Sequence, residues 1–371
     1  MATKPYLITF RPIDVFFLGN EKTLNDDNLS YFVHSNKYPQ QTTLLGALRY
    51  KLLEANGLLS HGNKPVDIKA HQWIGNNSFQ INSKTNTYGY IEQLSPVFLK
   101  EEQNYWHASP KDYSYSFKVL PARVKLADGN ENLLGIFEGF DAKAGVSDCL
   151  TNIKSKESPK AIDDFFVSDI RNGIQKNDLV ETKALFKQSY YRFKSSKMAF
   201  AIVAFLDEIA GKCLIDYINK SPFVRMGAEQ KSFEMAIAEC GNPLEYFQLE
   251  HHNSSEFTKI VLLSDTYIEP SIYKYCVGAL NETVDFRNIE TNSNTQFWNW
   301  DTKGKGQNAF PKKLTTKLNL LEKGSVFYLK NGADEAFELA LKSNSHFRKI
   351  GNNAYLKFLP NLSNPTISIF H

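Results

Sequence analysis

The sequence predicts an α+β protein built from two ferredoxin-like (RRM-like) domains with long insertions. Three observations lead there. Over residues 1–240 the segments run strand, helix, hairpin, strand, helix, strand, the order of an antiparallel sheet with helices on one face. Residues 241–371 run strand, helix, strand, helix, strand, a reduced form of the same plan. The chain has 371 residues, which suits two domains, and its 27 Phe and 18 Tyr suit sheet-rich cores. The domain boundary is placed at 240/241, with an insertion over approximately residues 100–190 of the first domain.

The first strand covers residues 5–17 and ends or bulges at Arg11-Pro12, because proline cannot donate to a ladder. Residues 18–38 are polar and loop-like. Tyr38–Glu54 is a helix. Pro39 holds the preceding chain extended, Thr42 or Thr43 can cap, and Leu44, Leu45, Leu48 and Leu52 make one apolar stripe at helical period. Arg49 falls just off that stripe and Lys51 on its other flank, so basic groups are expected near the helix edge. The free N–H groups at its start are a natural seat for a phosphate. Tyr88–Lys100 is a strand broken by Pro96, and Phe117–Leu126 alternates as a second extended segment. Asp141–Asp164 reads as an exposed connector. Tyr190–Leu206 is extended, with Met198–Leu206 a buried strand. Ile209–Asn219 is a short helix and Ser232–Glu239 a strand after a turn at Gly227. In the second domain Phe257–Tyr267 and Leu320–Leu329 are strands, Ile272–Leu280 is helix or strand, Ala333–Lys342 is a helix, and Asn353–Phe358 closes the sheet.

Net charge is only +3, so any nucleic-acid contact must come from local patches rather than a global field. Cys149, Cys213, Cys240 and Cys276 are widely spaced and fit no metal or redox motif. The adjacent His251 and His252 would point to opposite sides of a strand, which disfavours a two-histidine metal site. No cofactor and no metal are expected. The longest apolar run, Met198–Leu206, falls far short of the roughly 20 residues of a membrane span. With no secretion-like pattern at residue 1, the expected location is cytoplasmic.

Several phrases resemble the RAMP superfamily of CRISPR proteins, and within it the Cas5-like subunit of type III-B (Cmr) RNA-guided effector complexes. They are Pro12-Ile13-Asp14-Val15-Phe16-Phe17 at the end of the first strand, Pro39, Thr42 and Gly46-Ala47-Leu48-Arg49 around the helix, Arg171-Asn172-Gly173-Ile174, the Gly227-x-Glu229-x-Lys231 corner, and Gly324-Ser325-Val326-Phe327-Tyr328. Their order spans most of the chain. Two departures stand out: Leu18-Gly19-Asn20 replaces the Arg-Asp-Gly common in relatives, and the usual glycine-rich loop before the last strand, here Ser343–Asn353, keeps one glycine, Gly351.

The resemblance implies a non-catalytic, RNA-binding subunit of a hetero-oligomeric ribonucleoprotein acting in antiviral defence. It implies three partners: the 5′ repeat-derived tag of the CRISPR RNA, a large Cas10-type subunit and the first Cas7-like backbone subunit. No membrane partner is implied. The expected tag pocket is the loop with Asn20, Lys22, His34, Ser35, Asn36 and Lys37, the helix start with Gln40, Gln41, Thr42 and Thr43, and Arg49. The insertion is expected to act as a thumb against the guide through Arg171, Lys176 and Arg192, and the later turn contributes Arg225 and Lys231. His107 beside Trp106 is either a base-stacking pair or core filling. Two other functions compete: a metal-independent RAMP endoribonuclease with His34 or His107 as base, and a protein-only scaffold.

Overall fold

The computed structural model describes residues 2–19, 32–59, 68–75, 78–82, 87–125, 131–146, 148–175, 184–227, 229–249, 255–290, 314–360 and 364–370. In chain order the elements are β1 (Thr3–Pro12), β2 (Phe32–His34), α1 (Gln41–Ala55), α2 (Ile68–Ile74), β3 (Ile91–Leu94), β4 (Phe98–Glu101), β5 (Asn104–Ala108), β6 (Ser116–Lys125) and β7 (Glu131–Glu138). They continue with β8 (Cys149–Asn152), β9 (Lys160–Ala161), β10 (Phe166–Gln175), β11 (Ala184–Phe193), β12 (Met198–Asp207), α3 (Glu208–Ile218), β13 (Phe223–Met226) and β14 (Lys231–Glu239). The last are β15 (Lys259–Leu262), β16 (Cys276–Leu280), β17 (Thr283–Glu290), β18 (Leu314–Leu321), β19 (Val326–Leu329), α4 (Asp334–Lys342), α5 (Ser345–Lys349), β20 (Tyr355–Phe358) and β21 (Thr366–Ser368). The protein is thus mixed α+β, with mostly antiparallel pairing and few helices.

The chain forms two compact units that interleave in sequence. Unit 1 takes Met1–Glu102, Asp163–Gly241 and Asp285–Leu318; unit 2 takes Gln103–Ile162, Asn242–Val284 and Asn319–His371.

In unit 1, β1 lies antiparallel between β12 and β14, with Ile8 opposite both Ile202 and Ile237. β12 also pairs β3 and β4, and β13 pairs β14. The apolar run of β12 is buried along almost its whole length, as a strand covered on both faces must be. α3 starts on Asp207, whose carboxylate accepts from Ile209 N at 2.9 Å. It lies so close to β1 that a Cβ at Gly211 would come 2.1 Å from the Tyr6 ring. α1 buries Leu44, Leu45, Leu48 and Leu52. Lys51 departs from the expected solvated flank. It is fully buried, with Nζ donating to Glu54 at 2.6 Å and to the Ser221 carbonyl at 3.0 Å. Ion pairing and a backbone acceptor offset the cost of desolvating the ammonium.

A second sheet in unit 1 has the order β10-β11-β2, with β10 and β11 antiparallel and β2 parallel to β11. Phe16 bridges to Tyr191 and packs against Phe166, Phe193, Phe200 and Phe233, anchoring the base of the β10–β11 hairpin. The polar stretch expected to be loop therefore contains a short strand, β2, Phe-Val-His, which pairs with β11.

In unit 2, β15 is the centre of a five-stranded sheet of order β16-β19-β15-β20-β21. Ile260, Leu262, Phe327, Leu329, Phe337, Leu341 and Tyr355 form its core with α4. Phe117 of the β6–β7 hairpin stacks on Tyr328 at 3.9 Å and 11°. The Asp141–Asp164 connector carries β8 and β9, with β8 paired to β5. The Ser343–Asn353 loop contains α5, too short for a periodic signal in sequence. No helix among the described residues is long and apolar enough to cross a membrane.

Candidate nucleic-acid interface

The sequence-predicted site residues fall into separate places of unit 1. Asn20, Lys22 and Lys176 lie outside the described residues. Ser35 and Asn36 are used to fix the chain. The Ser35 hydroxyl accepts from Leu18 N at 2.8 Å, and the Asn36 amide donates to the Gly19 carbonyl at 3.0 Å. Lys37 is ion-paired with Asp163 at 2.7 Å and lies over the Tyr191 ring at 5.9 Å. His34 is exposed, its ring centroid 4.0 Å from that of Phe32.

At the start of α1, Gln40 is the N-cap residue without a capping side chain, and no acidic residue occupies the first turn. Turned to satisfy both partners, the Gln40 amide donates to Arg287 O at 3.1 Å and accepts from Arg287 N at 3.3 Å. Gln41 is buried and donates to the Ser95 carbonyl at 2.7 Å. Thr42 and Thr43 are half-buried. No acidic side chain of the helix's own first turn opposes an anion there. Arg49 is half-buried, and its Nε is shielded from solvent without a hydrogen bond. Burial pulls its pKa down, with Tyr88 acting in the opposite direction. It forms no ion pair among the described residues.

Three thumb and turn candidates share one side of the β10–β11 hairpin. Tyr190 packs with Val15, Phe17 and Val33. Two cations lie over its ring, Arg171 at 5.0 Å and Lys231 at 5.2 Å. Arg171 also pairs with Asp169 at 2.9 Å. Arg192, two residues beyond Tyr190, shares its face of β11 and is exposed without an ion pair among the described residues. Burial raises the Tyr190 pKa, Glu229 adds to the rise, and Arg171 opposes it, so the ring is a neutral cation–π platform at neutral pH. The Gly227 turn beneath the cluster is left-handed, φ +82°, and a Cβ there would come 2.3 Å from the Phe17 carbonyl oxygen. Arg225 sits apart. It is exposed beside Tyr50, Phe223 and Ile13 at a cavity of about 850 Å³ and forms no ion pair among the described residues.

His107 belongs to the core of unit 2. Its Nε2 is 2.6 Å from the Tyr246 carbonyl oxygen, and burial lowers its pKa to about 4. Neutral and enclosed, it is out of reach of RNA, either as a stacking ring or as a base. Unit 2 also gathers Asp148, Glu282 and Glu322, whose oxygens lie within 4.8 Å of one another. Lys111 Nζ already fills that place, at 3.3, 2.9 and 2.7 Å respectively.

The family of CRISPR-associated proteins called Cas_Cmr3 matches residues 8–357. The chain belongs to the Cas_Cmr3 family. The match runs from within β1 to within β20 and takes in α1 and the β10–β11 hairpin. No curated protein sequence matches the chain. Similar solved structures include a chain of the type III-B Cmr-beta complex bound to cognate target RNA, at 14% identity and TM-score 0.45, covering 95% of this chain and 96% of that one. A chain of the Csm3–Csm4 subcomplex of a type III-A CRISPR-Cas interference complex is similar at 10% identity and TM-score 0.40, over 99% of each. What sequence reading missed in this Cas_Cmr3 protein is Tyr190 as the ring shared by Arg171 and Lys231. Its alternation with Gln188 and Arg192 was the available signal.

Proposed function

We propose that this chain is a non-catalytic subunit of a type III-B effector complex that holds the 5′ repeat-derived tag of the CRISPR RNA. It docks to a large Cas10-type subunit and a Cas7-like backbone subunit. The observation that carries this reading is the family match over residues 8–357. The geometry adds a means of gripping RNA. Arg171 and Lys231 are oriented on Tyr190, Arg192 shares the Tyr190 face of β11 without an ion pair among the described residues, and the α1 start has no acidic residue in its first turn. The ferredoxin-like reading of unit 1 is part of the proposal, supported by the antiparallel order β14-β1-β12-β3 and the packing of α1 near α3.

Crosslinking of the guide in the complex purified through this chain, read by mass spectrometry, tests the assignment. Crosslinks from tag nucleotides to residues 32–43 or to the β10–β11 hairpin are expected. RNA mapped wholly to neighbouring subunits would leave a protein scaffold instead. Cleavage of repeat RNA by the isolated chain without divalent ions would make it an endoribonuclease. Arg171→Ala and Lys231→Ala should each weaken tag-bearing RNA a few-fold to tenfold, about 1 kcal/mol per phosphate contact.

A further inference from the structure

We propose that the open edge of β13 takes up an extended segment of a partner protein by strand addition, and that this segment carries a carboxylate two residues away from an apolar side chain. The inference rests on the multi-subunit reading above and names a surface and a binding mode within it.

β13 ends its sheet. It pairs β14 on one side, and no strand among the described residues pairs its other side. Two hydrogen bonds fix which backbone groups face outward. Met235 N donates to the Pro222 carbonyl at 2.7 Å, and Ile13 N donates to the Ser232 carbonyl at 3.1 Å. The first makes Pro222 and Met235 a hydrogen-bonded pair across β13 and β14. The second turns the backbone of Ser232, which stands opposite Arg225, toward β1. Antiparallel pairs alternate between bonded and unbonded. Val224 and Met226 therefore direct their N–H and C=O groups to β14, while those of Phe223 and Arg225 point out of the sheet edge. An added strand finds two donors and two acceptors there at the strand repeat.

The side chains at that edge define the kind of strand. Register puts Phe223 on a rung with Glu234 and Arg11, and Arg225 on a rung with Ser232 and Ile13. These rungs are two residues apart and share a face. Phe223 is 57% and Ile13 55% exposed. From α1, Tyr50 and Glu54 line the same cavity of about 850 Å³. An unpaired edge is normally kept safe by being short, charged or covered. β13 is short, yet two large exposed apolar side chains on its rungs invite a partner. The charges narrow the choice. Glu54 is paired with Lys51 and Glu234 with Arg11. Arg225 is exposed without an ion pair among the described residues. One open cation beside apolar side chains matches one carboxylate rather than the repeated charge of a nucleic acid, which Glu54 and Glu234 would also oppose. A strand laid on the edge sets one residue across from Arg225 and the residue two along across from Phe223. An acidic side chain and an aliphatic or aromatic one at that spacing satisfy both.

Hydrogen exchange resolved to single amides, compared between the free full chain and the complex purified through it, tests the proposal. The Phe223 and Arg225 amides should exchange at least about tenfold more slowly in the complex, with those of Val224 and Met226, already bonded to β14, little changed. Arg225→Glu and Phe223→Ser should each weaken retention of one protein subunit about tenfold, as for an interface anchor. Arg225→Pro removes the outward N–H as well as the charge and leaves the bonds to β14 intact, so it should lose more than Arg225→Ala. Phe223 and Arg225 are exposed, so Phe223→Ser and Arg225→Glu keep the test open should the proline variant fail to fold. Crosslinks from this edge should land on a segment with the acidic and apolar spacing; a segment without an acidic residue there overturns the proposal. Unslowed amides in a complex that keeps its subunits overturn the edge pairing and leave the multi-subunit reading standing. A chain that assembles with no other subunit overturns both. Slowing that ribonuclease treatment abolishes assigns the edge to RNA, and slowing in the free chain that grows with its concentration assigns it to a second copy; either result overturns the proposal.

Discussion

Unit 2 contains a buried ion pair whose removal has a calculable cost. Lys259 Nζ contacts both Asp112 oxygens, at 2.9 and 2.8 Å, and the Tyr328 hydroxyl donates to Asp112 at 2.6 Å. The Lys259 and Asp112 side chains are 1% and 2% exposed. In Asp112→Asn the ammonium keeps its burial and loses its counter-charge, a change that costs about 3–5 kcal/mol when one partner of a buried pair is removed. Replacing both groups by apolar ones, Asp112→Leu with Lys259→Met, removes the uncompensated charge and should recover most of that loss. Hydrogen exchange at β15 and β19 reads the effect within unit 2. At 1.36 kcal/mol per decade, protection of those amides should fall by about two to four decades in Asp112→Asn. A fall of less than tenfold would refute the reasoning, since it would mean that water or another group already compensates Lys259.

Other consequences follow from charged groups held within the fold. Burial opposes ionisation of Glu338, but hydrogen bonds from Lys357, Tyr355 and Lys342 hold its pKa at about 2. A folded value below the unfolded one gives stability that is present above about pH 5 and lost as pH falls toward 2. Partial exposure limits this to about 1–2 kcal/mol, and Glu338→Gln should flatten the acid limb of a stability–pH curve. Lys111→Met would leave Asp148, Glu282 and Glu322 facing one another without a cation. Thermal unfolding of that variant should become sensitive to calcium, while the native chain does not respond. RNA binding should depend only mildly on salt. With about three phosphate contacts at about 0.7 each, affinity should drop about twentyfold between 50 and 200 mM salt; a drop of about a thousandfold would show many more contacts.

Elements with strong local signals were legible in the sequence. The leucine stripe of α1, the apolar run of β12 and the proline breaks at Pro12 and Pro96 all have a physical cause confined to a few neighbouring residues. What was not legible depends on residues far apart. β2 is three residues long and its partner β11 lies some 150 residues away in the sequence, and α5 is five residues long. The same holds at the interface. Arg171 and Lys231 were identifiable as cations, but not that one tyrosine ring would gather them. Gln40 and Gln41 looked available at a helix start, yet Arg287 and Ser95 occupy their amides. Side-chain polarity can be read from sequence, but whether a polar group is already satisfied cannot.

That distinction bears on how a chain of net charge +3 can serve RNA. Several of its cations are spent inside the fold. Lys51, Lys111 and Lys259 are buried against carboxylates, Lys357 is held between Asp334 and Glu338, and Arg49 is desolvated beside Tyr88. Lys187, Arg192 and Arg225 are exposed without an ion pair among the described residues. A net charge of +3 does not supply the long-range attraction of a strongly basic binder. Affinity must then come from short-range terms, meaning stacking on fixed rings and hydrogen bonds from groups held in place. Those terms require a surface whose geometry is set before RNA arrives. Unit 1 meets that requirement by backing its hairpin with the Phe16 cluster on one face and the Tyr190 cluster on the other.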